Sequence, residues 1–240
     1  MKYELGEWNE YKKYEFDFEG CPAIVIEPKK AAKGNPWVWR AEFFGAFPYV
    51  DKKLLEKGWF IAYCKLSDRF GSCAAVDDMK RFKDFITKEF KLSKKADIFG
   101  FSRGGLYAFN YSVKYPDDIS VMYLDAPVID LRSWPLGSGK GEGSVRDVEL
   151  CKKEFKVSDI NEIKDTPIFK LDLINKTDIP LIMVYGDSDE VVPYDENGEK
   201  LAAVFDGVCK YICKNGCKHH PHSLEDPSEI VEFIEEHRTY

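Results

Sequence analysis

Four short strand-like runs, each dominated by apolar residues, constrain the fold of this chain more than any other feature of its sequence. They occupy residues 59–64, 97–101, 120–124 and 180–185. Strands that are apolar along their whole length are buried on both faces, which is typical of parallel sheets covered by helices. Helical spacing of apolar residues appears between them, most clearly over 77–90. The alternation predicts an α/β protein with a mostly parallel, twisted sheet and helices on both faces.

The remaining elements fit the same plan, apart from one segment. Two β-rich runs, 12–18 and 21–27, are separated by Glu19-Gly20 and predict a hairpin. Further strands are predicted at 37–40 and 208–213, and further helices at 51–56, 104–115, 196–205 and 227–237. The segment 127–175 has few apolar periods and holds a glycine-dense stretch that predicts a flexible lid loop. We therefore predict a single domain over 1–240 with a cap insertion at about 127–175.

Charge and hydropathy exclude several classes of partner. The chain of 240 residues carries 35 Lys and Arg against 42 Asp and Glu, a net charge of −7, which disfavours binding to nucleic acid or to anionic membranes. No apolar run approaches the ~20 residues that span a bilayer. The N-terminal residues 1–16 lack the apolar core of a signal peptide, which predicts a cytoplasmic protein. In that compartment the seven cysteines are expected to be free thiols.

A serine lies between a predicted strand and a predicted helix, in the segment Gly100-Phe-Ser102-Arg103-Gly104-Gly105. The G-x-S-x-G spacing is typical of a tight strand-to-helix turn that exposes the serine hydroxyl. The helix N-terminus adjoining this turn adds partial positive charge and free N–H groups. We predict that Ser102 is a nucleophile and that the backbone N–H of Arg103 faces a developing oxyanion.

A serine hydroxyl needs a general base, and histidine is the usual base near neutral pH. The chain has four histidines, of which His219, His220 and His222 follow the last predicted strand. His237 lies near the end of the closing helix and is expected at the surface. We predict His219 as the base because it follows the Gly216-Cys-Lys spacing, with His222 as the alternative and His220 pointing elsewhere.

An acid must orient that histidine and stabilise its charged form. The segment 186–193 (GDSDEVVP) follows the predicted strand 180–185 and offers Asp189, which we predict as the acid. Asp187 is expected to form the turn and Glu190 to be solvated. Asp125, at the end of strand 120–124, is the rival acid. The chain order of serine, acid and histidine is that of α/β-hydrolases.

With these residues in place, the chain resembles the α/β-hydrolase family over nearly its whole length, and within it the dienelactone hydrolase-like and serine esterase branch. The segment Arg40-Ala-Glu-Phe-Phe-Gly45 is similar to the His-Glu-x-Phe-Gly loop of that branch. The resemblance implies that the N–H of Phe43 is the second oxyanion donor and that Glu42 is a carboxylate near the nucleophile. Ala41 replaces the branch's histidine, and a serine replaces its nucleophilic cysteine, which argues against dienelactone itself as a substrate.

The resemblance and the three residues predict a serine hydrolase that cleaves a small-molecule carboxylic ester through an acyl-serine intermediate, without a cofactor. Aromatic residues near the predicted site suggest a carbohydrate or phenolic ester, although Trp37 and about half of the others are expected in the core; the set is Trp37, Trp39, Phe43, Phe44, Phe47 and Trp134. The alternatives are a non-catalytic binding protein on a hydrolase fold and a small peptidase-like hydrolase. The intact serine, acid and histidine favour an active enzyme.

Two further sequence patterns suggest a metal site and a phosphate-binding loop, but their residue spacing does not fit either. Cys209, Cys213 and Cys217 with the three histidines suggest a metal site, but Cys209 and Cys213 fall on a predicted strand rather than on a turn. No metal is therefore predicted. The run Gly137-Ser-Gly-Lys-Gly-Glu-Gly143 lacks the G-K-[ST] ending and the preceding strand of a phosphate-binding loop.

Overall fold

The computed structural model describes residues 2–239, which form nine strands and seven α-helices joined by turns and short 3₁₀ helices. The strands are β1 Glu4–Trp8, β2 Tyr11–Phe18, β3 Cys21–Glu27, β4 Trp37–Arg40, β5 Phe60–Cys64, β6 Ala96–Phe101, β7 Ile119–Asp125, β8 Leu181–Gly186 and β9 Cys209–Lys214. The helices are α1 Tyr49–Glu56, α2 Cys73–Glu89, α3 Gly104–Lys114, α4 Val145–Phe155, α5 Leu171–Ile174, α6 Gly198–Ala202 and α7 Ser228–His237.

All nine strands form one sheet in the order β1-β2-β3-β5-β4-β6-β7-β8-β9. β1, β2, β3 and β5 pair antiparallel, and every pair from β5 through β4 to β9 is parallel. The predicted fold class, a mostly parallel sheet, is confirmed. Because the parallel strands share one direction, the segments that follow β4, β6, β7, β8 and β9 all leave the same edge of the sheet.

The two faces of the sheet contribute to two separate hydrophobic cores, which explains why its central strands are apolar throughout. In β7 the side chains of Met122 and Leu124 join one core, and those of Val121 and Tyr123 join the other. Helices α2 and α3 cover the first face, and α1 and α7 cover the second. Alternate residues of a strand point to opposite faces, so both sets must be apolar.

Several elements differ from the sequence prediction, among them β1, α2 and α4. β1 was not predicted because its side chains are mostly exposed, and its backbone pairs with β2 as an edge strand. α2 begins at Cys73 rather than at 77, since the Ser72 hydroxyl accepts a hydrogen bond from the N–H of Ala75 and caps the helix. α4 lies inside the segment between β7 and β8, where the sequence analysis found few apolar periods.

The glycine-dense stretch predicted as a flexible lid loop is hydrogen-bonded to the segment that follows β8. The N–H of Glu142 donates to the carbonyl of Glu190 at 2.8 Å, and Lys140 forms an ion pair with Asp195. The stretch therefore packs beside the predicted acid loop. Separately, none of the helices between residues 2 and 239 combines the length and the apolar character needed to cross a bilayer.

Candidate active site

Ser102 occupies a sharp turn between β6 and α3, and its backbone has the left-handed φ of +49°. A non-glycine residue in this region costs about 1–3 kcal/mol and persists only where neighbours hold it. Here its N–H donates to the carbonyl of Asp125 at 2.9 Å, and its carbonyl accepts from the N–H of Gly105 and of Val128, both at 2.9 Å. These three bonds fix the turn.

Glycines on either side allow the close approach of β6, α3 and the segment after β7. A Cβ on Gly105 would lie 2.6 Å from the Cβ of Pro127, and one on Gly100 would lie 2.8 Å from the Cβ of Ala108. Real side chains do not tolerate such contacts, so both positions require glycine. Packing of the turn itself therefore explains two of the three glycines in the G-x-S-x-G-G pattern.

Ser102, His219 and Asp189 form a continuous chain of hydrogen bonds. The Oγ of Ser102 lies 3.0 Å from Nε2 of His219, and Nδ1 of the same ring lies 2.7 Å from Oδ2 of Asp189. The other carboxylate oxygen, Oδ1, accepts the N–H groups of Val191 and Val192 at 2.9 and 2.8 Å. The Asp189 side chain is 1% exposed and that of His219 is 7% exposed. A carboxylate only accepts, so the imidazole proton sits on Nδ1 and Nε2 presents a lone pair to the serine.

A second buried histidine–aspartate pair lies beside the first. Nδ1 of His222 is 2.7 Å from Oδ1 of Asp125, whose Oδ2 accepts the N–H of Ser223 at 2.7 Å and the hydroxyl of Tyr123 at 2.9 Å. From the sequence, His222 is the alternative base and Asp125 is the rival acid. The structure pairs these two with each other rather than with Ser102, a pairing that no spacing in the sequence indicated.

The two other histidines differ in position. His220 is exposed and stacks on Phe47, with ring centroids 5.5 Å apart and an angle of 15° between the planes. Partial burial, together with the neighbouring His222 and His219 rings, lowers the pKa of His220. His237 lies on α7, where its Nδ1 is 2.9 Å from the carbonyl of Phe233, away from the other three.

Glu42 and Arg103 form a buried ion pair next to the serine turn. Nε of Arg103 donates to Oε2 of Glu42 at 2.9 Å, and Ser67 donates its hydroxyl to the other Glu42 oxygen at 2.8 Å. The carboxylate of Glu42 is 1% exposed. Burial lowers the pKa of the Arg103 guanidinium, but attraction and hydrogen bonding to Glu42 outweigh burial, so that the pKa is raised. Asp68, 3.0 Å from Nη1 of Arg103, adds a second carboxylate, which the sequence analysis missed.

The loop after β4 places Phe43 beside the same turn. Phe43 has a φ of +54°, and its carbonyl accepts a hydrogen bond from Nη2 of the buried Arg40 at 3.0 Å. Arg40 also donates to the carbonyl of Ala46 at 2.7 Å, which fixes the loop. Within residues 2–239 neither the N–H of Phe43 nor that of Arg103 donates to another protein group. Both amides are therefore free to bind an oxygen.

Removing the Arg103 cation should destabilise the fold more than removing the whole pair. Arg103→Met leaves Glu42 as an uncompensated buried charge, and we expect a loss of about 3–5 kcal/mol in the free energy of unfolding at neutral pH. Asp68 and Asp147 keep Arg146 as a partner. Urea denaturation of Arg103→Met and of the double variant Glu42→Gln/Arg103→Met is the measurement. The double variant should recover part of the loss, and equal stability of wild type and Arg103→Met would contradict this reading.

Of the six aromatic residues predicted near the site, Trp37 and Trp39 belong to the buried core, and Phe44, Phe47 and Trp134 pack partly buried against it. Trp37 and Trp39 are fully buried and pack on each other, as expected for Trp37. Phe44 stacks on Tyr63, with ring centroids 5.8 Å apart. Phe43 is 37% exposed and carries the Arg103 guanidinium 5.3 Å above its ring. Trp134 packs on Phe70. Phe43 and Phe47 are the members of this set that contact site residues directly and remain partly exposed.

The large cavity beside the acid loop is separate from the nucleophile. It has a volume of about 420 Å³, and Tyr185, Tyr194 and the 187–190 segment line it. Asp189 forms part of its wall, but Ser102 and His219 do not. Because the cavity does not reach the serine hydroxyl, we do not assign the substrate to it.

Comparison with known proteins identifies the fold. No protein-family profile and no curated protein sequence matches the chain. Solved structures do match. The structure of Est1E from Butyrivibrio proteoclasticus shares 18% identity over 98% of both chains, with a TM-score of 0.66. That of a cold-adapted esterase from an Arctic intertidal metagenomic library shares 14% identity over the whole of both chains, with a TM-score of 0.68.

The third comparison is with a longer protein. The acylaminoacyl peptidase from Pyrococcus horikoshii shares 15% identity over 99% of this chain, with a TM-score of 0.70, but this chain spans only 42% of its length. At such identities the likeness is one of fold, and assignment to the dienelactone hydrolase-like branch stays a prediction. The nine-stranded sheet and these structural matches together show that the chain has the α/β-hydrolase fold.

Proposed function

We propose that the protein is a serine hydrolase that cleaves carboxylic esters through an acyl-Ser102 intermediate. The observation that carries the proposal is the chain of hydrogen bonds from Ser102 Oγ through His219 to Asp189, at 3.0 and 2.7 Å. A buried carboxylate, an imidazole with its proton on Nδ1 and a hydroxyl facing Nε2 are the three parts of a nucleophilic triad. The likeness in fold to esterases supports the same reading.

In this mechanism Ser102 Oγ attacks the ester carbonyl while Nε2 of His219 takes its proton. Asp189 holds the ring and stabilises the imidazolium that forms. The free N–H groups of Arg103 and Phe43 bind the oxyanion, at about 3 kcal/mol for each donor. The imidazolium then protonates the leaving alcohol, and the C–O ester bond breaks. A water that gives its proton to His219 attacks the acyl-enzyme and releases the acid together with the free serine.

The substrate class is proposed more narrowly from the side chains around the turn. Phe43 is partly exposed next to Arg103, and Phe47 stacks on His220 at the same edge of the sheet. Flat aromatic surfaces of this kind favour a sugar or a phenolic ring as the alcohol or acyl part of the ester. A panel of acetyl, butyryl, feruloyl and sugar-acetate esters compares these groups by kcat/KM.

Hydrolysis of an acyl–amide bond is a second candidate, because the fold is similar to that of an acylaminoacyl peptidase. The same triad performs both reactions, and amides have the poorer leaving group. Matched ester and amide substrates with one acyl group distinguish the candidates: an esterase has much the higher kcat/KM on the ester and little activity on the amide.

Labelling with a fluorophosphonate tests the proposed function directly. This reagent phosphonylates a serine whose hydroxyl has been activated by a base. We expect wild type to be labelled at Ser102, located by mass spectrometry of the digested protein, and Ser102→Ala to be unlabelled. A wild-type protein that does not react, or equal labelling of Ser102→Ala, would leave a binding protein on a hydrolase fold as the better description.

A further inference from the structure

Three imidazole rings meet at the edge of the sheet beside Ser102, in a nearly equilateral triangle. The ring centroids of His219, His220 and His222 lie 4.8, 4.9 and 4.8 Å apart, and each pair of planes crosses at a steep angle. One ring nitrogen from each can be chosen so that all lie within 4.8 Å of one another. Three imidazoles on one tetrahedral ion have ring centroids about 5 Å apart, given metal–nitrogen bonds of ~2.0–2.1 Å.

The two buried members of the triangle have the carboxylate partners of metal-binding histidines. Nδ1 of His219 bonds to Asp189 and Nδ1 of His222 to Asp125, both at 2.7 Å. A histidine that ligates through Nε2 almost always donates its Nδ1–H to a carboxylate or carbonyl, which fixes the tautomer and makes Nε2 more basic. In both residues Nε2 therefore presents a lone pair. The triad needs one such arrangement, and the pair formed by His222 and Asp125 is a second that the proposed mechanism does not use.

The third ring can complete the set by a small movement. Nitrogen ligands on a tetrahedral zinc ion lie about 3.3 Å apart, and the present nitrogens lie within 4.8 Å of one another. His220 is exposed, so its ring can turn, and the movement costs only the stacking on Phe47. Lys214 donates to the carbonyls of Pro221 and Ser223 and holds the backbone of the same loop. Binding of the ion therefore requires the ring of His220 to turn and the two buried rings to shift slightly on their carboxylate partners.

Charge at this edge of the sheet also favours a cation. Asp189 and Asp125 are both buried behind the rings. Two ammonium groups oppose this: that of Lys218 is paired with Glu190 at 2.8 Å, and that of Lys214 is held by the carbonyls of Pro221 and Ser223. A bound dication would therefore be attracted by the charges of two carboxylates on the far side of the imidazole rings.

We propose that His219, His220 and His222 form a binding site for a divalent transition-metal ion of the zinc type, and that this ion switches the hydrolase off. Imidazole suits zinc, cobalt, nickel and copper, whereas magnesium and calcium prefer oxygen ligands. The ion takes the lone pair of His219 Nε2 that otherwise accepts the proton of Ser102. The fourth ligand is then a water or the Ser102 oxygen. Loss of activity rests on the proposed function, whereas binding of the ion does not.

The site differs from the one that the cysteines suggested in the sequence. Cys209 and Cys213 are exposed on β9, and within residues 2–239 the group of side chains close enough to share a metal ion contains histidines alone. Thiolate ligation by a cysteine would be a different site with a different spectrum, which the experiment must exclude.

Titration of the full-length protein with Co²⁺, followed by absorption spectroscopy, tests binding without any substrate. We expect one equivalent to give the intense visible bands of a four-coordinate ion, without thiolate charge-transfer bands. His220→Ala should weaken binding at least ~10-fold, since it removes a ligand rather than an outer partner. His237→Ala removes a remote histidine and should leave binding unchanged. Thiolate bands, no binding, or equal binding by His220→Ala would each overturn the proposal.

Inhibition by Zn²⁺ tests the switch. For each variant the measured quantity is the ratio of ester-hydrolysis rates with and without Zn²⁺, so that differences in basal rate cancel. Wild type and His237→Ala should be inhibited at the same Zn²⁺ concentration and restored by EDTA, whereas His220→Ala should need at least ~10-fold more. Mg²⁺ should have no effect. Stoichiometric cobalt binding with no loss of activity in Zn²⁺ would refute the switch, and a protein inactive on every ester would count against the proposed function instead.

Discussion

Replacing His219 by asparagine is expected to reduce kcat for ester hydrolysis by roughly 10⁵- to 10⁶-fold, the scale of losing the base from a serine triad. The amide of asparagine can still donate to Asp189, as Nδ1 does now at 2.7 Å. No group then remains opposite Ser102 Oγ to accept its proton, a place that Nε2 occupies at 3.0 Å. The measurement is a steady-state assay on the best ester of the panel, with folding checked by circular dichroism.

His222→Asn is the matched control for that variant. It makes the same chemical change in the same loop and keeps a donor for Asp125, so the buried pair is not left with an unpaired carboxylate. We expect kcat to fall less than ~10-fold, because His222 makes no hydrogen bond to Ser102 within the described chain. If His222→Asn were the inactive variant and His219→Asn the active one, the base assignment would be wrong while the fold assignment would stand.

The fold could be predicted from the sequence wherever the buried faces of an element produce a clear pattern of apolar residues. β7 and β8 are apolar on both faces because each face meets a core, and such runs are visible in the sequence. β1 could not be predicted in this way, because its pairing with β2 is made by backbone groups and its side chains are exposed. α4 did carry a signal: Ser144 caps the helix by accepting from the N–H of Asp147 at 3.3 Å, an S-x-x-D pattern, but the segment has too few apolar periods for that pattern to predict a helix.

The site was harder to predict than the fold, because its pairing depends on the path of loops. The turn at Ser102 has a local pattern of glycines whose spacing follows from packing. The segments that hold His219 and Asp189 carry weaker local patterns, which do not say which side chains meet. β7 and β8 are neighbours in the sheet, so Asp125 and Asp189 reach the same edge, and His219 and His222 lie in one loop. His219 and His222 are only three positions apart, so the conformation of the loop decides which histidine meets which carboxylate. Loop conformation produces no periodic pattern of residues in the sequence.

Replacing Asp189 by asparagine is expected to reduce kcat by about 10⁴-fold while leaving the backbone unchanged. The reason is specific to this loop. Oδ1 of Asp189 accepts two N–H groups, from Val191 and Val192, so an asparagine must place its oxygen there and its NH₂ toward His219. Nδ1 of the imidazole then has to accept, and its proton moves to Nε2. A ring that carries its proton on Nε2 donates to Ser102 and cannot take the proton of the hydroxyl.

Asp125→Asn applies the same change to the second pair. Its Oδ2 accepts from Ser223 and Tyr123, so the amide of the variant should likewise turn toward His222 and invert that tautomer. Because Ser102 does not depend on that ring, we expect kcat to fall less than ~10-fold. The decisive quantity is the ratio of kcat for the two variants on one ester substrate. A ratio near one would mean that the pairs act as a unit, and a larger loss in Asp125→Asn would make Asp125 the functional acid.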